Sequence, residues 1–304
     1  MRQRLVPLLL PAFGALLLFG TAVSGPQAGA ADAEPADVSL CADCHESEAK
    51  AFSRTPHSQL ASPEFSSGGL AAGSCNYCHA GAAEHIDQGG GVGTIFAFAS
   101  SESFRARVDV CLTCHGDVHP RFMSTPHAAA GIDCTSCHTV HGTSGGTAQL
   151  KLTDHVNIGM ERVDVASASC RQCHEDVFTQ FQFNERHRLQ EGILSCTSCH
   201  NPHEPQARVA LGGFKQQACT ECHGDKEGPF VFEHGSQKVE GCVACHTPHG
   251  SPNRHMLNFQ STAELCYSCH AVVPSFHSRF TLDTACTNCH SSIHGSNFDP
   301  FFLK

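Results

Sequence analysis

"CVACHTPHG", residues 242–250, decides how the rest of the chain is read. Two residues separate Cys242 from Cys245, His246 follows directly, and a further histidine, His249, comes three residues later. C-x-x-C-H is the attachment signature of c-type haem. Two thiols add across the two vinyl groups of one porphyrin, the adjoining histidine sits beneath the iron, and the short spacing sets all three on one side of the ring. The pattern recurs until all 20 cysteines are used. Motifs 1 to 5 are Cys41, Cys44 and His45; Cys75, Cys78 and His79; Cys111, Cys114 and His115; Cys134, Cys137 and His138; Cys170, Cys173 and His174. Motifs 6 to 10 are Cys196, Cys199 and His200; Cys219, Cys222 and His223; Cys242, Cys245 and His246; Cys266, Cys269 and His270; Cys286, Cys289 and His290. A disulfide scaffold gives no reason for a histidine after every second cysteine. Zinc sites built from Cys-x-x-Cys units place their histidines elsewhere, with their own spacing. The cofactor expected is haem c, ten per chain, with the ten motif histidines as proximal iron ligands.

Outside the motifs there are 13 further histidines, and ten of them keep a register. The repeat is a motif, a histidine, a second motif, then a histidine soon after. It recurs five times, with His57 and His85, His127 and His141, His187 and His203, His234 and His249, and His277 and His294. This is the signature of a repeat array, here of five dihaem units. Local echoes support it: "SRTPHS" (53–58) resembles "MSTPHA" (123–128), and glycine follows the later histidine at 142, 250 and 295. These ten are the candidate distal iron ligands. Methionine could serve only a few sites in their place, because beyond Met1 only Met123, Met160 and Met256 exist. Double-histidine ligation lowers potential relative to His/Met ligation, and it leaves no iron position for a substrate. His119, His155 and His255 fall outside the register, and His119 competes with His127 for the same gap.

The reach of the chain constrains His249. Three residues extend over at most ~10–11 Å, too little to pass around a porphyrin edge and return to the opposite face. As a ligand, His249 belongs to a neighbouring haem, and the same holds for His141, His203 and His294. His234, 11 residues past His223, has enough chain to reach either way.

The chain opens with Arg2 and Arg4 ahead of an apolar run from Leu5 to Gly20, and "QAGA" then offers Ala28 and Ala30 for cleavage after residue 30. Residues 1–30 read as a secretory signal peptide; the run is short of the ~20 residues needed to span a bilayer. No cysteine precedes Cys41 after this run, which disfavours a lipid anchor. Residues 31–304 keep 29 acidic and 17 basic side chains, a formal charge of −12. That balance excludes a nucleic-acid partner, whose binding needs clustered Lys and Arg.

With about 27 residues per haem, the porphyrins themselves act as staples and core. The 20 phenylalanines, in "FTQFQF" (178–183) and "PFVF" (229–232) for example, pack either on ring faces or between short helices. Segments such as "CRQCHEDVFTQFQFNERHRLQ" (170–190) read as short helices leaving a motif. Gly-rich stretches at 68–73, 89–93 and 142–146 break the chain. The fold expected is a multihaem cytochrome c: mostly α and irregular, an elongated haem array with little or no sheet. Residues 142–169 form a linker or a bend within it.

The chain resembles the DmsE/MtrA family of decahaem cytochromes c over residues 31–304. Ten motifs, the signal peptide, "CNYCHAGAAEHI" (75–86) and the ending "CTNCHSSIHGSNFDPFFLK" (286–304) carry the likeness. The resemblance implies a periplasmic protein held in an outer-membrane porin-like β-barrel. There it passes electrons between a periplasmic or inner-membrane cytochrome and an extracellular cytochrome, reductase, metal oxide or donor. It also implies two pentahaem halves, whereas the register above is dihaem. Two other functions fit the residues: a soluble periplasmic electron shuttle, or a multihaem reductase of a small nitrogen or sulfur compound. The reductase needs an open iron. All ten motifs end in histidine, and Tyr77 and Tyr267, the chain's only tyrosines, lie inside motifs.

Overall fold

One closed turn of backbone is the element from which the chain is built. In nine motifs the histidine N–H donates to the carbonyl of the first cysteine at 2.8–3.0 Å. In motif 3 the histidine is the last residue of a helix that already contains both cysteines. The computed structural model describes residues 41–61, 75–99, 101–142, 155–158, 161–205, 217–277, 279 and 283–303. The expected signal peptide, residues 1–30, lies outside them.

Around these turns the backbone alternates. Odd-numbered motifs sit at the ends of α-helices: Cys41 is helical, and motifs 3, 5, 7 and 9 begin in α3 (Phe104–His115), α5 (Val165–Arg171), α7 (Gln217–Thr220) and α9 (Thr262–Tyr267). Even-numbered motifs open as 3-10 turns, at Cys75–Tyr77, Cys134–Ser136, Cys196–Ser198, Cys242–Ala244 and Cys286–Asn288. Caps explain where the odd helices start. The Ser103 hydroxyl accepts from the Ala106 N–H, and the Asp164 carboxylate from the Ser167 N–H. Ser261 and Glu264 form a reciprocal capping box. The other helices are α1 (Glu46–Phe52), α2 (Ala82–Asp87), α4 (Pro126–Ala129), α6 (Glu175–Gln180) and α8 (Gly235–Val239).

Helices this short are not stable alone in water, and the protein offers them little core. Among the described residues only eleven apolar side chains are buried, and five of them are alanines. Val163, Phe178, Phe181 and Leu189 form one cluster; Val108, Phe122 and Ala128 form another. Phe178 and Phe181 thus pack within the protein, the second of the two roles open to them. An ion pair reinforces the second region: Arg107 Nε on α3 meets Asp133 Oδ2, just before motif 4, at 2.6 Å with both side chains largely buried.

The fold is mostly helical and irregular, as expected, with small two-stranded ladders. β1 (His155–Ile158) and β2 (Glu161–Asp164) pair antiparallel, so the interval read as a linker or bend contains a hairpin that delivers Val163 to the core. β3 (Glu185–Arg186) pairs with β5 (Gly250–Ser251), and β4 (Phe232–Glu233) with β6 (Gly295–Ser296). These ladders explain the glycine after the later histidine. A Cβ on Gly250 would overlap the Gln180 carbonyl oxygen, and one on Gly295 would overlap the Phe230 ring. At Gly142 it would press on the Ala51 carbonyl, in a left-handed backbone of φ +79°.

Candidate functional site

All ten motif histidines face one of the ten histidines that share the sequence register. His45 faces His85 at 6.3 Å between ring centroids, His79 faces His141 at 5.7 Å, and His115 faces His57 at 6.0 Å. His138 faces His203 at 5.8 Å, His174 faces His127 at 6.1 Å, and His200 faces His249 at 6.1 Å. His223 faces His187 at 6.2 Å; His246 faces His294, His270 faces His234 and His290 faces His277, all at 6.3 Å. His249 therefore lies opposite motif 6 rather than its own motif 8, beside a neighbouring motif as the reach of the chain required.

The pairs obey one rule. The mid-unit histidine reaches forward to the first motif of the next unit: His57 to His115, His127 to His174, His187 to His223, His234 to His270. The later histidine reaches back to the second motif of the previous unit: His141 to His79, His203 to His138, His249 to His200, His294 to His246. At the ends neither neighbour exists, and the units close on themselves, His85 on His45 and His277 on His290. The ladders bring both exchanged side chains together: β3 runs into His187 and β5 follows His249, while β4 runs into His234 and β6 follows His294.

Several rings are held through Nδ1, which leaves Nε2 as the nitrogen that could serve a metal. His79, His246 and His290 bond through Nδ1 to the carbonyls of Phe96 (2.7 Å), His255 (2.8 Å) and Phe301 (2.5 Å). Among the facing rings, His187 bonds to the Pro248 carbonyl at 2.6 Å and His85 to the Thr94 hydroxyl at 2.8 Å. Backbone carbonyls carry no residue identity, so no sequence signal could have named these partners. Burial, followed by repulsion from neighbouring imidazoles, lowers the pKa of His57, His138, His141, His203, His234, His249 and His294. For His294, repulsion from Lys226 ranks directly after burial. The neutral ring that results is the metal-binding form.

The three histidines outside the register take other places. His119 stacks on His203 at 4.2 Å and lies 6.4 Å from His115. His155 Nε2 bonds to the Gly192 carbonyl at 3.2 Å, and His255 lends its carbonyl to His246.

The sulfurs order the motifs in space. The first cysteines touch within units 2, 3 and 4: hydrogen bonds from Cys111, Cys170 and Cys219 pull the thiols of Cys134, Cys196 and Cys242 down to about 7, 6 and 7. Cys266, pushed up to about 12 by burial and then by Cys286, completes the series. The second cysteines approach between units. After burial, repulsion from Cys114 raises Cys78, that from Cys173 raises Cys137, and that from Cys269 raises Cys245. Cys199 likewise feels Cys219 and Cys222. From motif 2 to motif 10, neighbours in sequence are neighbours in space.

A doubled CXXCH motif family matches residues 187–228 and 234–274. The multiheme cytochrome MtrA of Shewanella baltica (strain OS185) is 29% identical over 281 residues, covering 86% of this chain and 79% of that one. The chain is an MtrA-like multihaem cytochrome. It is a c-type cytochrome that transfers electrons through haem.

The residues fit the group. An imidazole nitrogen lies about 2.0–2.1 Å from a first-row metal and the ring centroid about 1.2 Å behind it, so two rings on one metal set their centroids about 6.4–6.6 Å apart when collinear and less when tilted. The ten pairs, at 5.7–6.3 Å, have that spacing. Among the described residues no three His, Cys, Asp or Glu side chains gather to hold a bare metal ion. The donors come in twos, which suits an iron whose remaining ligands belong to a porphyrin. No helix among the described residues is long and apolar enough to cross a membrane.

Proposed function

We propose that this MtrA-like cytochrome carries ten haems c, each held by the two cysteines of one motif and by the motif histidine with its facing histidine as axial ligands. One observation carries the reading: every motif histidine has one register histidine opposite it, at the spacing of a shared metal. The haems, when bound, supply one-electron exchange between ferric and ferrous iron. The chain's own part is to fill both axial positions, so that no iron is open to a small substrate, and to hold neighbours close. The sulfur contacts support the second task, since from motif 2 to motif 10 the cysteines of one motif lie beside those of the next. With both positions filled by this chain's imidazoles, a bound iron would change little in its surroundings with oxidation state, which would suit rapid transfer in either direction.

The same reading places the array across the outer membrane, inside a porin-like β-barrel, between a periplasmic or inner-membrane cytochrome and an extracellular acceptor or donor. The signal peptide and the likeness to MtrA support it. The test has two stages. Purified mature protein should contain ten haems per chain, all low-spin by electron paramagnetic resonance; a count far below ten, or a substantial high-spin share, sinks the ligand reading and favours a reductase. Protein extracted from outer membranes should bring a β-barrel with it, and the pair in liposomes should carry electrons to an enclosed dye. Recovery of the whole population as a barrel-free periplasmic monomer defeats the membrane placement and leaves a soluble shuttle.

A further inference from the structure

Three motif histidines share a device that their sequence neighbours do not announce. His79, His246 and His290 belong to motifs 2, 8 and 10, and each gives its Nδ1 to a carbonyl on a segment that returns 17, 9 or 11 residues later. Each returning segment is also zipped to the backbone or side chain just after the motif. Phe96 N–H donates to the Ala80 carbonyl, Thr247 N–H to the Met256 carbonyl and Ser292 N–H to the Phe302 carbonyl, all at 2.8–2.9 Å. Ser291 Oγ adds a bond to the Leu303 carbonyl at 3.2 Å. Among the described residues, no such carbonyl contacts the ring of His45, His115, His138, His174, His200, His223 or His270.

A second, independent observation falls on the same three segments. Four non-glycine residues among those described have left-handed backbones: Phe98 (φ 51°), His255 (φ 59°), Met256 (φ 54°) and Phe302 (φ 60°). Phe98 lies two residues past Phe96, His255 itself supplies the accepting carbonyl with Met256 beside it, and Phe302 follows Phe301. Bulky residues avoid this conformation unless their surroundings impose it, and such strain collects at functional positions. Ordinary loop packing has no reason to place all four beside the three ring-binding carbonyls.

We propose that the carbonyls of Phe96, His255 and Phe301 are built positioning groups. They fix the ring plane and tautomer of His79, His246 and His290, and hold the irons of motifs 2, 8 and 10 at a lower reduction potential than they would have without the bond. The chemistry is that of an outer-shell acceptor: an Nδ1–H donating to a carbonyl makes the imidazole more basic and electron-rich, which favours the ferric iron. The proposal rests on the ligand reading above, through these three histidines.

The C-terminal clamp gives the test, because one position supports opposite backbones. Phe302→Gly keeps a positive φ at no cost, whereas Phe302→Pro forces φ to about −65° and swings the Phe301 carbonyl off the ring. Both lose the Phe302 ring that meets His234 edge-on at 5.6 Å, and Phe302→Pro alone also loses the N–H that donates to the Asp299 carbonyl at 3.2 Å, so their difference reads the clamp that holds the Phe301 carbonyl. In full-length holoprotein, one haem in ten should titrate at a higher potential in Phe302→Pro than in Phe302→Gly, with a shifted low-spin resonance signal. Identical titrations and spectra overturn the proposal. Should Phe302→Pro fail to mature, Asp299→Ala serves. It removes the Oδ1 that accepts from Phe301 N–H at 2.7 Å, and the same upward shift is expected, its absence being refutation. His290→Ala separates the two readings. If it opens one iron while the clamp variants change nothing, the clamp is wrong and the ligand stands; if it leaves ten low-spin haems, the ligand reading itself fails.

Discussion

Replacing His249 by Ala tests the pairing at the point where sequence and structure agree on a non-local partner. The His249 ring lies 6.1 Å from His200, whereas His246 is matched at 6.3 Å by His294. Removing one of twenty axial imidazoles opens one iron in ten, so His249→Ala should convert about 10% of the haem spin from low to high and bind one equivalent of carbon monoxide per chain when reduced. Which iron opens is read by combination. His200→Ala with His249→Ala strips both imidazoles from the same iron, and the affected share stays at one haem in ten. His246→Ala with His249→Ala strips two different irons, and the share doubles. Each double variant carries one motif substitution, so any effect on haem attachment is common to both. The assay is spin quantitation at low temperature, normalised to total haem iron. Should the 200/249 pair give two open irons and the 246/249 pair one, His249 serves its own motif and the exchange rule is wrong.

Three further outcomes follow from particular contacts. Asp133→Ala breaks a largely buried ion pair with Arg107 and should cost about 3–5 kcal/mol by denaturant titration. Burial alone would raise the Asp133 carboxyl, but hydrogen bonds from Thr135 and then Arg107 overturn this and hold it below its ordinary value. Its stabilisation is therefore present above the unfolded carboxylate pKa of about 4 and is lost as pH falls through the lower folded value; the variant should be less sensitive to acid over that window, and an unchanged acid limb would refute the assignment. Gly250→Ala overlaps the Gln180 carbonyl and should cost about 1–3 kcal/mol while opening the iron that His249 faces, whereas Gly235→Ala, with no atom near its Cβ, should do neither. A chain ending at Asn258 loses motifs 9 and 10 together with His294, so one of its eight haems, that of motif 8, should be high-spin; eight low-spin haems would mean that His246 has another partner.

The motif cysteines and histidines could be read directly from the sequence because haem attachment is local chemistry, confined to five residues. The ten facing histidines could be read as a register, since a repeated fold repeats its spacings. Their partners could not. Reach excluded His249 from its own iron, but choosing motif 6 over motif 10 depends on β3 and β5, two residues each, far too short to leave a periodic pattern. The glycines at 142, 250 and 295 were a visible signal whose meaning, close backbone approach, emerged only with the neighbouring segment in place. The β1–β2 hairpin was missed because its ladder is short and its apolar residues few: Val156 pairs with Val163, with polar residues around them. The carbonyls of Phe96, His255 and Phe301 were beyond any reading of residue types, although four strained bulky residues mark them in three dimensions.

The exchange of histidines changes what a repeat means in this chain. In most repeat arrays a unit is completed by packing against its neighbour, and terminal units need altered faces to cap the stack. Here an inner unit gives one imidazole forward and one back, and receives one from each side, so under the proposed ligation the join between units is made of the same bonds that complete the irons. The caps use the same two kinds of histidine: at the ends His85 and His277 face His45 and His290 of their own units. Insertion of a whole unit would leave every motif matched, because the newcomer gives and receives in both directions. Insertion of a single motif would leave an iron with one imidazole. An array built this way lengthens two haems at a time, and a cut that takes away the partner of a remaining motif, as one after Asn258 does, announces itself as a high-spin iron.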